Sequence, residues 1–269
     1  METVTLGPPG TYSHRAARAI AETVSFRPSV TAIVEAVDAG TADRGVVPIE
    51  NSIEGGVSET LDALAATDVA VVAELVTPIR HALLARSDEF ERVASHPQAL
   101  AQCRDVLDRG YPGLSREPVA STAAGVERAR DDPSVAAIAH PRSAGNGLSI
   151  VERDVQDRPS NETRFFVIGP PARRSADGAR TTLVIDPRDN YPGLLLSILE
   201  PFADREINLT RIESRPSGRH LGDYRFHLDL DAALSDPRTV GALEAIDTRI
   251  DEGWVRRLGS YDVTRLDEA

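Results

Sequence analysis

The chain has 269 residues, 42 acidic side chains against 30 basic ones, and a formal net charge of −12. That length suits one large or two medium domains and buries a sizeable core without covalent staples. A single cysteine excludes a disulfide framework and a cysteine-built metal site. The acid excess argues against general binding to nucleic acid or to an anionic membrane. The apolar runs are far too short to span a bilayer, and the start, Met1-Glu2-Thr3-Val4, has neither a basic region nor an apolar signal segment. A soluble, cytoplasmic protein is expected. Every basic residue is arginine; no lysine occurs. A salt-rich cytoplasm, with the protein halophilic, accounts for the acid excess as well as the arginine. GC-rich codon bias accounts for the arginine alone.

Residues 3–6 form a short apolar strand ending in Gly7-Pro8-Pro9-Gly10, and the alanine- and arginine-rich stretch 13–21 has helical periodicity. Residues 43–49 read as a strand, broken by Glu50-Asn51-Ser52 and Gly55-Gly56 before a helix over 57–66. The β-branched run 69–76 and the shorter 81–86 are strands. His96-Pro97 introduces a helix over 98–108, which His96 caps and in which Cys103 is a small buried apolar residue. Ser121-Thr122 opens a helix through Arg130, and 135–139 and 164–168 are strands. Strands alternating with helices imply a layered α/β domain over residues 1–170. Residues 171–179, headed by the pair Pro170-Pro171 and with a glycine and no large apolar side chain, read as a linker. Residues 180–269 then run strand (181–185), helix (193–202), strands (207–215 and 222–230), helix (240–250) and strand (254–263). That βαββαβ order is the ferredoxin-like topology.

Four strand-to-helix junctions share one grammar of small polar residues before a helix. They are Gly10-Thr11-Tyr12-Ser13, Glu50-Asn51-Ser52, Ser121-Thr122 and Asn161-Glu162-Thr163-Arg164. Helix starts present unpaired N–H groups and suit carboxylate ligands, and ligands of open α/β sheets gather at the carboxyl ends of strands. Each junction taken alone reads first as an ordinary N-cap. Arg164 offers a bidentate grip on a carboxylate, with a surface ion pair as its plainer reading. None of the six histidines has zinc-site spacing, and no dinucleotide fingerprint, P-loop or nucleophile elbow is present.

Taken together these stretches resemble the prephenate dehydratase family. The matching motifs are Gly7-Pro8-Pro9-Gly10-Thr11-Tyr12-Ser13, Val47-Pro48-Ile49-Glu50-Asn51-Ser52, His96-Pro97-Gln98-Ala99-Leu100, Ser121-Thr122-Ala123-Ala124 and Thr163-Arg164-Phe165. The second half resembles that family's regulatory ACT domain, through Pro192-Gly193-Leu194-Leu195, Asn208-Leu209-Thr210-Arg211-Ile212 and Glu213-Ser214-Arg215-Pro216. The resemblance implies a two-lobed, periplasmic-binding-protein-like catalytic domain with its site between the lobes, followed by the ACT domain. It implies Thr163 as the catalytic hydroxyl, with Asn51 and Ser121 holding the geometry. Arg164, Ser13, Glu50, Ser52, Thr122, His96, Gln98 and Phe165 are expected to bind or support prephenate. Feedback by L-phenylalanine is expected at Gly193, Leu194, Leu195, Asn208, Glu213, Ser214, Arg215 and Pro216, in a homodimer or homotetramer.

Two departures stand out. Leu194 occupies a position where the family usually has alanine, and either fills part of the phenylalanine site or repacks the core. His140-Pro141-Arg142-Ser143-Ala144-Gly145-Asn146-Gly147 interrupts an alanine-rich helix with proline and glycines. The chain begins at the first catalytic strand, so the chorismate mutase domain fused in some relatives is expected to be absent. No cofactor or metal is needed, because aromatisation of the ring drives loss of carbon dioxide and water. The rival readings are an arogenate dehydratase and a non-catalytic amino-acid sensor.

Overall fold

The computed structural model describes residues 1–250 and 252–266. In chain order the elements are β1 (Thr3–Leu6), α1 (Tyr12–Arg18), β2 (Val24–Arg27), α2 (Val30–Asp38), β3 (Arg44–Asn51), β4 (Gly55–Gly56), α3 (Ser58–Ala66) and β5 (Ala70–Pro78). Next come β6 (Ala82–Ala85), β7 (Arg92–Ser95), α4 (Pro97–Gln102), α5 (Arg104–Gly110), β8 (Ser115–Pro118), α6 (Thr122–Asp131), β9 (Val135–Ala139), β10 (Ser149–Glu152) and β11 (Glu162–Gly169). The last are β12 (Arg180–Asp186), α7 (Leu194–Ala203), β13 (Leu209–Pro216), β14 (Tyr224–Leu230), α8 (Pro237–Asp247), β15 (Trp254–Tyr261) and β16 (Val263–Arg265).

These elements divide into two compact units. The first comprises Met1–Leu6, Ala16–Val76 and Arg164–Leu266; the second contains Gly7–Arg15 and Thr77–Thr163. The long strands β5 and β11 cross the boundary, which falls on the Thr163–Arg164 peptide bond in β11. Within the first unit lies a sheet of order β16-β5-β11-β3-β1-β2, with β4 paired to β3. A four-stranded antiparallel sheet of order β13-β14-β12-β15, covered by α7 and α8, follows in the same unit. The second unit is built on a sheet of order β10-β6-β9-β7-β8 with α4, α5 and α6.

Period-two alternation decides how the four-stranded sheet is used. Leu183, Ile185, Leu228 and Leu230 turn to one side and pack with Ile198, Phe202 and Ile246 of α7 and α8. Val184, Leu258 and Tyr261 turn to the other side and join the core of the first sheet with Val71, Phe166 and Ile168. The 171–179 segment is therefore not a free linker. Ser175 and Ala176 accept backbone bonds from Ser260 (2.8 Å) and Ser235 (2.9 Å). Gly178 (φ +152) lies so close to Tyr261 that a Cβ there would sit 2.3 Å from its backbone nitrogen. Beyond β15 the chain leaves the four-stranded sheet, and β16 pairs in parallel with Glu74–Val76 of β5.

Other departures from the sequence reading have local causes. The expected helix over 98–108 is two helices that meet at Cys103 (φ −116, ψ 19). Asp157 takes the Gln102 carbonyl (2.7 Å) with its own N–H, and its carboxylate caps α5 through the Asp105 and Val106 amides. Helix α2 was not foreseen, although Ser29 caps it and Val30, Ile33, Val34, Ala36 and Val37 form its buried stripe. The proline–glycine segment after β9 is one 3₁₀ turn, Pro141–Ser143, followed by left-handed Gly145, Asn146 and Gly147. Among the described residues no helix is long and apolar enough to cross a membrane, and no group of His, Cys, Asp and Glu could hold a metal ion.

Candidate functional site

In the first unit, β3 runs to Glu50-Asn51, and Asn51 is buried at the strand's end. Its Oδ1 accepts from the Ile53 (3.0 Å) and Glu54 (3.1 Å) amides, which fixes the carboxamide on the tight turn into β4. Ser52 on that turn is exposed, and Phe165 is buried in the core.

Arg164, the residue expected to grip a substrate carboxylate, is held by carboxylates of the protein itself. Its Nε and Nη2 hold Glu74 bidentately (2.9 and 2.8 Å), Nη1 donates to Glu50 (2.7 Å), and Nη2 also reaches Asp229 (2.8 Å). Arg180 adds two bonds to Glu74 (2.9 and 3.2 Å), and Arg211 adds two to Asp229 (2.8 and 3.2 Å). Thr182 donates to Asp229 as well (2.7 Å). Glu74 and Asp229 are completely buried. Burial pushes the Asp229 carboxyl up, but Arg211 and Arg164 overcome it and hold the group at about 2. Arg164 is desolvated too, yet Glu74 and Asp229 keep its affinity for the proton above the ordinary value. Four of its five N–H donors are thus committed to protein carboxylates.

The partners of Arg164 were missed in the sequence. The usable signal was a lone glutamate in the buried run Ala70–Pro78, and an aspartate alternating with leucine in β14. A charge on a fully buried strand needs a partner.

The second unit holds Thr163, Ser13, Ser121, Thr122, His96 and Gln98. Ser121 caps α6, its hydroxyl oxygen accepting from the Ala124 amide (3.0 Å), and Thr122 opens that helix. His96 caps α4 through Nδ1, which accepts from Gln98 (3.3 Å). Ser13 lies on α1 and Thr163 near the start of β11; both are partly buried. A polar chain ties three of the motifs together. The Gln102 side-chain Oε1 accepts from Asn161 (2.9 Å) and meets His81 Nε2 (3.2 Å), and His81 lies edge-on to Tyr12 with ring centroids 6.1 Å apart. Burial lowers the His81 pKa to about 4, against the Gln102 bond that raises it.

In the four-stranded sheet, strand geometry splits the Glu213-Ser214-Arg215-Pro216 quartet. Arg215 grips Asp62 of α3 (3.0 and 2.8 Å), and the Glu213 carboxylate lies against Gly56, where a Cβ would meet it at 3.3 Å. Ser214 and Pro216 alternate with these and are exposed, as is Ile212. Asn208 donates to Asp231 (3.0 Å). Gly193 takes φ +90 at the start of α7, which only glycine adopts readily. Leu194 is buried with Ile198 and Phe202, and its remaining surface lines a 290 Å³ cavity with Arg188, Tyr191 and Arg249; Leu195 is exposed.

A family model described as Prephenate dehydratase matches residues 3–173, and one described as ACT domain matches residues 181–248. The prephenate dehydratase of Lactococcus lactis is 37% identical over 284 residues, covering 100% of both chains. A crystal structure of the prephenate dehydratase of Arthrobacter aurescens in complex with L-Phe superimposes with TM-score 0.88 at 37% identity, covering 97% of this chain and 90% of that one. A structure described as GqqA, a novel type of quorum quenching acylase, gives TM-score 0.83 at 27% identity, with 98% of each chain covered.

Proposed function

Because this chain belongs to the prephenate dehydratase family and carries an ACT domain, we infer that it converts prephenate to phenylpyruvate, carbon dioxide and water, under feedback by L-phenylalanine. The observation that carries this reading is end-to-end likeness, over both parts of the chain, to a curated prephenate dehydratase. The acylase-named neighbour shows that one fold serves more than one chemistry, so the test is made on prephenate itself.

In the reaction the bond between the ring and its carboxylate breaks as carbon dioxide leaves. That electron pair enters the ring, and the C4–oxygen bond breaks with its pair on oxygen. One proton delivered to that oxygen completes water and balances the step. Thr163 is the proposed donor or relay for that proton, contributing on the order of a hundred- to ten-thousandfold. Asn51 is suited to positioning, since two backbone amides fix its carboxamide. Ser121 accepts from Ala124 and keeps its own hydroxyl proton to donate. We assign Arg164 a positioning role: tied to Glu50, Glu74 and Asp229, it anchors β11 at the residue next to Thr163.

Exposed large apolar side chains collect in the ACT part, among them Leu195, Leu196, Ile212 and Tyr224. They support a homo-oligomer formed there, with the outward residues Ser214 and Pro216 nearer a partner copy than Glu213 and Arg215; light scattering on the purified chain tests it. The primary assay is phenylpyruvate formation from prephenate in concentrated KCl, with arogenate as parallel substrate and phenylalanine as inhibitor. Turnover of prephenate, lost in Thr163→Val and kept in part by Thr163→Ser, is expected. Normal turnover by Thr163→Val would remove the acid role, and preference for arogenate would change the substrate.

A further inference from the structure

A dianionic substrate must be held by a protein of net charge −12, and the arginine beside Thr163 is already occupied by carboxylates. Among the described residues, five arginines carry a fully buried guanidinium nitrogen without a partner: Arg15, Arg44, Arg130, Arg174 and Arg211. Four of them are satisfied elsewhere on the same group, by the Met1 sulfur, the Ser143 carbonyl, Asp68 and Asp229 respectively. Among the described residues, Arg15 alone of the five makes no hydrogen bond or ion pair from its guanidinium. Its guanidinium lies over the face of Tyr12, 5.6 Å from the ring centroid. Burial lowers its proton affinity, and nearby Arg142 lowers it further. A cation removed from water with no counterion is costly, and the cost is relieved when an anion arrives.

The surroundings are donors as well. Tyr12 lies edge-on to His140, with centroids 5.8 Å apart and planes at 78°, while its hydroxyl is spent on the Arg80 carbonyl (2.5 Å). His140 Nδ1 accepts from the Arg142 amide (3.1 Å), so the neutral ring carries its proton on Nε2. Burial first, then Arg15, Arg142 and His81, hold the His140 pKa down at about 3. The Arg142 side chain is exposed and has no ion pair among the described residues. Arg142 and His140 belong to the proline-interrupted turn, so that turn places a donor and a cation within electrostatic reach of Arg15.

We propose that Arg15, Arg142 and His140 Nε2–H form a subsite for one carboxylate of the substrate. The subsite rests on the assignment of prephenate as that substrate. It belongs to the unit that also holds Thr163, and His81, Gln102 and Asn161 link the Tyr12 cluster to the segment leading into β11.

The experiment is steady-state kinetics of the full chain at constant ionic strength, on Arg15→Met, Arg15→Lys and Arg142→Met. Malonate serves as a non-reacting dicarboxylate probe, and circular dichroism confirms folding. Losing hydrogen bonds to a charged group raises KM roughly ten- to hundredfold in Arg15→Met, far more than kcat falls. Arg15→Lys recovers part of the loss, and exposed Arg142→Met loses a few-fold. Competitive inhibition by malonate weakens in parallel. Unchanged KM and malonate inhibition in a folded Arg15→Met variant would overturn the subsite. If wild type turned over no prephenate, the functional reading would fall separately. Malonate protection against thermal unfolding would then decide: lost in Arg15→Met, it supports an anion site; equal in both proteins, it refutes one.

Discussion

Two partly buried arginines, one in each unit, are treated oppositely by their surroundings. Arg164 meets Glu50, Glu74 and Asp229, and around it three guanidinium groups face three carboxylates. Arg15 meets an aromatic face, a neutral histidine and a second arginine, with no carboxylate. A neutralised cluster fixes strands and asks nothing of a ligand. An uncompensated one is held in place by its fold and is improved by a ligand. The sequence offers Arg164 to the substrate for its bidentate grip and its place in the family motif, and the structure gives that arginine protein carboxylates as partners.

The largest expected effect comes from unbalancing the neutral cluster. Glu74→Ala removes the shared acceptor of Arg164 and Arg180 and leaves both short of a counterion. A loss of roughly 3–5 kcal/mol is expected in urea unfolding, the usual result of breaking a buried pair by one partner. Arg15→Met in the same assay is expected to change stability by less than about 1 kcal/mol, or to stabilise, because it removes a cation that had no partner. Equal losses at both positions would erase the distinction.

Next in size is a kinetic split. Lysine cannot reproduce the fork that holds Glu74 while reaching Glu50 and Asp229. Arg164→Lys is expected to lower kcat about tenfold through misplacement of Thr163, with KM within a few-fold. A rise in KM alone would return Arg164 to the substrate.

Much of this was legible in the sequence, for physical reasons that can be named. The βαββαβ half showed because its helices and strands each keep one period. The Ser121 and His96 caps showed because small polar residues before a helix have few other uses. What remained hidden was long-range. Nothing local to Glu74 names Arg164, 90 residues away. The alternation Glu213, Arg215 against Ser214, Pro216 has no meaning until one knows that a second layer, bearing Gly56 and Asp62, covers one face of β13. Strand β16 is not visible in the sequence, whose last expected strand ends at Val263, because three residues carry too little pattern to reveal that they pair with β5.

Acid titration probes the cation-rich cluster together with His227 of β14, which burial also holds at about 3, so the malonate dependence is what reads the cluster. Burial depresses His81 to about 4, and burial with the adjacent arginines depresses His140 to about 3. The unfolded chain binds those protons near pH 6.5 and the folded chain does not, so stability is intact above about 6.5 and falls as pH drops toward 4. For His81 alone the loss amounts to on the order of 3 kcal/mol. A carboxylate bound beside His140 raises its pKa, so malonate is expected to protect more at pH 5 than at pH 7. The same comparison in Arg15→Met loses that difference. Stability flat between pH 7 and 4.5 would show that these rings accept protons without cost.

The smallest effect concerns the pair that joins β13 to α3. Arg215 and Asp62 are partly solvent-exposed, so Asp62→Ala is expected to cost at most about 1 kcal/mol. Its interest lies in what it leaves alone. Arg215 belongs to the motif expected to answer phenylalanine, yet it points to the layer that carries Gly55-Gly56 and Asn51 rather than to the outward face with Ser214. If β13 relays the effector, releasing Arg215 weakens the link without touching the outward face. The concentration of phenylalanine needed for half-inhibition is then expected to change severalfold, with turnover in its absence near wild type. A Ser214→Leu change on the outward face should instead weaken phenylalanine binding directly, as calorimetry reads it. Inhibition that ignores Asp62→Ala would confine the effector's influence to that outward face and leave Arg215 as a simple surface tie.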